Sequence, residues 1–284
     1  MATDPGFSTL FIGPNHSASL SITEAFLDAL GKERSYDVAA FSRYKANELP
    51  TPAEHLQQEC ERIMALPQFP VFINSHHPLP LHVLMKGRDI RYITILRNPT
   101  RRFISYYHWA HLHKDLDYHW VAPAIRAGAT LEQYVDYVGA TGHFPGGLSP
   151  CEYFTRNWVA LGLVPDELKT HLVGTARYVL ETYFTVVGIA EMFDESLYVY
   201  SRAMGLAEPP RWKHRGKSGA GSLNTIPEGV RAKIRKLVEP EMAVYMHFAQ
   251  QFFQRHRKEI EEFKALGISL RAEGDTDTIT PFRK

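Results

Sequence analysis

The chain has 284 residues, 44% of them hydrophobic and 22% charged, with a formal net charge of +1. That length can bury a substantial α/β core, and the near-neutral balance excludes a global attraction to nucleic acid or to a membrane surface. Two cysteines, Cys60 and Cys151, are too few for a disulfide framework or a zinc ribbon and read as reduced, buried thiols.

The opening MATDPGFSTLFIG lacks a basic segment followed by a long apolar one, and no apolar run approaches the ~20 residues of a membrane span. The expectation is a cytoplasmic protein without a membrane span. Ser8 to Ile12 is a short apolar run ending at Gly13-Pro14, a buried strand and a break. The polar loop NHSASLS follows, then ITEAFLDALG with helical spacing and Gly31 as its stop. Tyr36 to Phe41 reads as a second strand, and Pro52 to Leu66 as a helix with Leu56, Ile63 and Met64 on its apolar positions. Val71 to Asn74 is a third strand leading into SHHPLPLH, and Arg91 to Leu96 a fourth whose β-branched content fits a central position. Arg97-Asn-Pro-Thr turns the chain into a helix from near Thr100.

Further helices are expected at Leu131 to Val138, Ser149 to Leu161, Pro165 to about Thr175 and Ala190 to Met204, with a buried strand at Phe184 to Ile189. A last helix runs from Pro240 to about Leu266. Residues 1–268 are read as one domain and 269–284 as a loosely held polar tail. Strands separated by helices predict an α/β fold, a mainly parallel central sheet flanked by helices. Ligands in such sheets sit beyond the carboxyl ends of the strands, which brings loops 13–21, 75–82 and 97–105 to one rim.

The first loop has the makings of a phosphate cradle. Pro14, Asn15, His16, Ser17, Ala18 and Ser19 precede a helix whose free N–H groups attract anions, and small residues allow close approach. The same stretch also reads as a plain strand-to-helix turn. It lacks the Gly-Lys pair of GxxxxGK[ST], which counts against an ordinary ATP or GTP hydrolase or a kinase. YITILRNPTRRFISYYHWA says more. Arg97 ends a buried strand and Ser105 lies two turns into the next helix, so a guanidinium fork and a hydroxyl can converge on a terminal phosphate. Arg101 and Arg102 raise the local potential. The competing reading is an arginine at a sheet edge and a core-facing serine.

LRNPTRRFISYYH resembles the 3′-phosphate-binding signature of the sulfotransferase superfamily, R-D/N-P-x-x-R-x-x-S, with Arg97 and Ser105 at its Arg and Ser. SHHPLPLHVLM is similar to the family's GHxPFGLHxxL, TRNWVALG to TRxLxG, and VVGIAEMFDESLYVYSRAMG to VGLTExFDESLxLLxRxxG. The likeness is nearest to carbohydrate-type sulfotransferases and their soluble bacterial relatives. It implies a P-loop-related fold and sulfonate transfer from 3′-phosphoadenosine 5′-phosphosulfate (PAPS), leaving adenosine 3′,5′-bisphosphate (PAP). The acceptor it implies is a hydroxyl or amine, expected as a hydroxyl on a small molecule or a glycan, whether carbohydrate, lipid or secondary metabolite. His76 aligns with a histidine suited to act as base, with His77 and His82 nearby.

In the family the first loop carries a lysine at the transferring group, where this chain has Asn15 or His16 according to register. A protonated His16 would supply the charge, whereas Asn15 would only donate a hydrogen bond. A nucleotide-binding module with a degenerate catalytic loop is therefore the alternative. The late basic loop WKHRGKSGAGS resembles a glycine-containing loop that the family places over the cofactor, which would assign Lys213, Arg215, Gly216 and Lys217 to it with Trp212 stacking on the base; the same stretch also reads as a solvated surface loop. His108, His111, His113 and His119 lack the spacing of a typical zinc site, and no metal is expected.

Overall fold

The structure is a computed structural model that describes residues 6–14, 17–38, 51–114, 122–142, 149–214 and 225–272. Five strands, β1 (Ser8–Ile12), β2 (Ser35–Asp37), β3 (Phe72–Ser75), β4 (Ile90–Leu96) and β5 (Phe184–Ile189), form one sheet in the order β2-β3-β1-β4-β5. All four pairings are parallel. Every residue of β1 and β3 is buried, which explains why their sequences run apolar without alternation.

The helices that flank the sheet are locally well specified. α1 (Ser19–Leu30) ends at Gly31, whose φ of 83° suits glycine. α2 (Pro52–Met64) starts with a reciprocal capping box between Thr51 and Glu54. Met64 at its end is exposed, so it does not belong to the apolar face as the spacing predicts. α3 (Pro99–Leu112) is capped by Asn98, whose side chain accepts from the Arg101 amide at 3.2 Å. α4 (Pro123–Arg126), α5 (Leu131–Thr141), α6 (Pro150–Ala160), α7 (Leu172–Tyr183), α8 (Phe193–Ala203), α9 (Glu228–Leu237), α10 (Glu239–Arg255) and α11 (Arg257–Leu266) complete the described helices.

Most of these elements pack into one core around the sheet, with Phe11, Phe26, Phe72 and Trp158 fully buried. A second apolar cluster joins α3, α4, α5 and α9 through Phe103, Tyr106, Ile125, Tyr134 and Ile234. The two cysteines are free and buried, and burial pushes the Cys60 thiol up to about 11.

Several expectations shift. The second strand is three residues long and begins one residue earlier, while 39–41 lie outside the described residues. The stretch after Pro165 is a single 3₁₀ turn, Asp166–Leu168, and the helix itself comes later as α7. Its start is fixed by Thr175, which turns its hydroxyl back to the carbonyl of His171 at 3.0 Å. The long last helix is two, broken at His256 (φ −110°), and α9 precedes them.

Candidate cofactor and transfer site

The chain order reverses between β1 and β4. β1 leads through α1 to β2 on one side, and the connection after β3 crosses over to β4 on the other. The carboxyl ends of β3, β1 and β4 are therefore adjacent, and the loops that follow them share one rim.

The loop after β1 turns tightly. A Cβ on Gly13 would lie 2.6 Å from the Ser19 Cβ and 2.9 Å from the Phe11 ring, so only glycine allows this approach. The Ser17 amide donates to the Pro14 carbonyl at 3.3 Å. Ala18 then stands in the left-handed region (φ 63°) as the residue before α1, which an L side chain occupies at some cost. No side chain caps α1 among the described residues, and no acidic residue sits in its first turn. Its first amides therefore remain suited to an anion. Ser17 and Ser19 are buried there. Asn15 and His16, the two contenders for the lysine position, lie outside the described residues.

Directly after the neighbouring strand β4, Arg97 is half-buried, and burial lowers its pKa while the carboxylate of Glu191 opposes that shift. Glu191 follows β5 and accepts from the Asn98 amide at 3.0 Å and from the Tyr245 hydroxyl of α10 at 3.0 Å. It thereby fixes the turn that carries Arg97. Ser105 is buried on α3.

Arg102, buried on the same helix, is lowered by desolvation to about 10 and still charged at neutral pH, with Glu241 of α10 countering the shift. Burial raises the Glu241 carboxyl in turn. Pro14, Ser17, Arg97, Arg102, Glu241 and Tyr245 line one narrow cleft. Two guanidinium groups beside an uncapped helix start make a donor set that fits the phosphates of a nucleotide.

His76 opens the loop after β3. Its Nδ1 lies 3.0 Å from the Gly13 carbonyl, so the neutral ring carries its proton on Nδ1 and keeps a lone pair on Nε2. His77 is held differently. Burial, with His55 and His76 adding, pushes it down to about 3, and its ring meets His55 edge-on at 5.4 Å between centroids. His82 is a structural histidine: its amide and Nδ1 both meet the Tyr92 hydroxyl, at 3.1 and 2.8 Å, and its ring packs on Tyr183.

The later basic loop is only partly described. Lys213 is exposed, while Arg215, Gly216 and Lys217 lie outside the described residues. Trp212 is not free to stack on a base. Its Nε1 donates to Asp194 at 2.5 Å, its ring packs on Phe193, and its backbone pairs with Arg271. Residues 269–272, expected to be loose, are tied in by the same pairing. Asp194 also accepts from the Ser269 hydroxyl and the Leu270 amide, each at 3.2 Å. His119 lies outside the described residues; His111 Nε2 meets the Ala129 carbonyl at 2.8 Å, pinning α3 to the turn before α5.

Sequence reasoning missed Glu191, Glu241, Tyr153 and Asn157, and took Arg102 only as background charge. The R-x₄-R spacing of the signature could have singled out Arg102. The carboxylates had no local signal, because their partners are distant in the chain.

Residues 16–147 match the sulfotransferase domain family. Over that stretch the chain is similar to the sulfotransferase superfamily. Among curated relatives, galactose-3-O-sulfotransferase 3 of Mus musculus is 30% identical over 181 residues, covering 59% of this chain and 38% of that protein. The Bos taurus protein of the same name is 29% identical over 178 residues, covering 58% and 38%. The chain thus spans under two fifths of the length of these relatives. A solved structure, mouse sulfotransferase SULT7A1 complexed with PAP, covers 82% of this chain and 64% of its own at 15% identity, with a TM-score of 0.40.

These relatives overturn the expectation of a cytoplasmic protein. That expectation rested on features of this chain alone, whereas the sulfotransferases it matches are galactose-3-O enzymes with most of their length outside the match. Among the described residues no helix is long and apolar enough to cross a membrane.

Proposed function

We propose that this chain transfers a sulfonate from PAPS to a carbohydrate hydroxyl, with His76 as the base. The observation that carries this reading is the His76 Nδ1 contact with Gly13, which ties the loop after β3 to the loop after β1 and leaves Nε2 as an acceptor. Galactose is the first acceptor to test, because the relatives' names specify it.

The donor supplies the sulfonate and departs as PAP. Arg97 and Ser105 bind the 3′-phosphate, and the uncapped start of α1, with Pro14, Ser17, Ala18 and Ser19, receives the remaining phosphate charge. The resemblance assigns Lys213, Arg215, Gly216 and Lys217 of the later loop to the cofactor as well. His76 Nε2 takes the proton that the acceptor hydroxyl loses as its oxygen bonds to sulfur. By the resemblance, Asn15 or His16 stands in for the lysine that contacts the transferring group.

Two substitutions test the roles separately. Arg97→Ala should weaken PAP binding by ~10-fold or more, since a charge-assisted fork is worth roughly 1.5–3 kcal/mol. His76→Ala should leave PAP affinity within twofold and reduce ³⁵S transfer from PAPS to a β-galactoside by ~10²–10⁴-fold. Unchanged PAP affinity in the first variant, or a loss of turnover below threefold in the second, would overturn the respective role. The absence of lysine from Pro14 to Ser19 favours a second reading, a nucleotide-binding module. PAP binding without transfer to any member of a broad acceptor panel would select it.

A further inference from the structure

The segment after β3 that carries His76 has no ladder to hold it. Residues 76–80 belong to no helix or strand, and Pro78 and Pro80 have no amide to donate. Support comes instead from α6, which offers two donors one helical turn apart. The Tyr153 hydroxyl donates to the His76 carbonyl at 2.8 Å, and Asn157 Nδ2 donates to the Pro78 carbonyl at 3.0 Å. Residues four apart lie on one helix face, so the two bonds grip alternate carbonyls of the same loop.

Between them the loop closes on itself. The Ser75 hydroxyl donates to the His77 carbonyl at 2.6 Å and accepts from the His77 amide at 2.9 Å. His76 is therefore held twice, by its backbone from α6 and by its ring from Gly13. Neither α6 donor touches the cleft that Arg97 and Arg102 line.

We infer that Tyr153 and Asn157 are positioning residues for His76, fixing the backbone of loop 76–78 so that Nε2 keeps its aim. The inference rests on His76 being the base. A displacement of about 1 Å in a reacting group costs up to ~10²-fold in rate, so the effect belongs in kcat rather than in nucleotide affinity.

The test is a double-mutant cycle on the full chain, read with ³⁵S-labelled PAPS and a β-galactoside. Tyr153→Phe removes one oxygen and should lower kcat by about 10- to 100-fold while KM for PAPS and Kd for PAP stay within twofold. In a His76→Ala background the same substitution should change nothing further. An unchanged kcat, or an equal loss with and without His76, overturns the inference. Asn157→Ser, which draws the second donor back, should follow the same pattern.

Side-chain ¹⁵N spectra of labelled histidines give a readout that needs no acceptor. The His76 ring should be in the Nδ1–H tautomer in the wild-type protein and become mixed in Tyr153→Phe. An unaltered tautomer overturns the inference. Wild-type turnover by His76→Ala would instead remove the base assignment, and the tautomer spectrum would then decide alone whether α6 positions the ring.

Discussion

His77 offers a prediction whose size follows from its surroundings. Burial, helped by His55 and His76, lowers its pKa from the ordinary 6.5 to about 3. The folded-state pKa lies below the unfolded one, so between pH 3 and 6.5 the unfolded chain binds more protons. The stability of this site is then complete above pH 6.5 and falls as the pH drops towards 3. At pH 5 the cost is roughly 1.4 kcal/mol per pH unit over about 1.5 units, or ~2 kcal/mol. His77 is only half-buried by area, and solvent screening brings this closer to ~1 kcal/mol. For a protein of this size that corresponds to about 2–4 °C in Tm. Differential scanning calorimetry of the wild-type protein and His77→Gln from pH 7.5 to 4.5 isolates the effect. The variant should lose less stability than the wild type as the pH falls, with the two curves separating below pH 6.5. Parallel curves would show that His77 is free to take up its proton in the folded state.

Two further outcomes concern the loop after β1 and the sheet beneath it. Gly13→Ala should weaken PAP binding by ~10-fold or more by isothermal titration, because the new Cβ needs space that Ser19 and Phe11 occupy and the loop must move. Tyr200→Phe should lower unfolding stability by about 1–2 kcal/mol in urea titrations with PAP affinity unchanged, since the hydroxyl donates at 2.6 Å to the Thr94 carbonyl inside the core.

The strands that frame the site were legible because burial on both faces leaves a plain trace. STLFI and IRYITIL are short apolar runs with a break behind them, and adjacency of their ends follows from parallel order. The rim formed by the loops after β3, β1 and β4 was readable for the same reason. α9 escaped because only Val230 and Ile234 are buried on it, and a two-residue stripe in EGVRAKIRKL is too sparse to mark a helix. The break at His256 escaped because RHRKE continues the polar face without interruption. At the site, the sequence pointed to Arg97 by local pattern and to His76 through the family resemblance. It could not reveal that Glu191 governs the Asn98 turn or that α6 grips the His76 loop. Those contacts join residues about 77 to 93 positions apart, and nothing in either segment specifies its partner.

Asp194 gathers three donors: the Trp212 indole, the Ser269 hydroxyl and the Leu270 amide. The chain just before the basic loop is thus buttoned to the chain just after α11 through one carboxylate. Shortening this chain at residue 268 would remove the backbone pairing of Trp212 with Arg271 and two of the three donors to Asp194. Lys213, the residue beside Trp212, would lose that backing, and on its proposed role the edit should then weaken PAP binding.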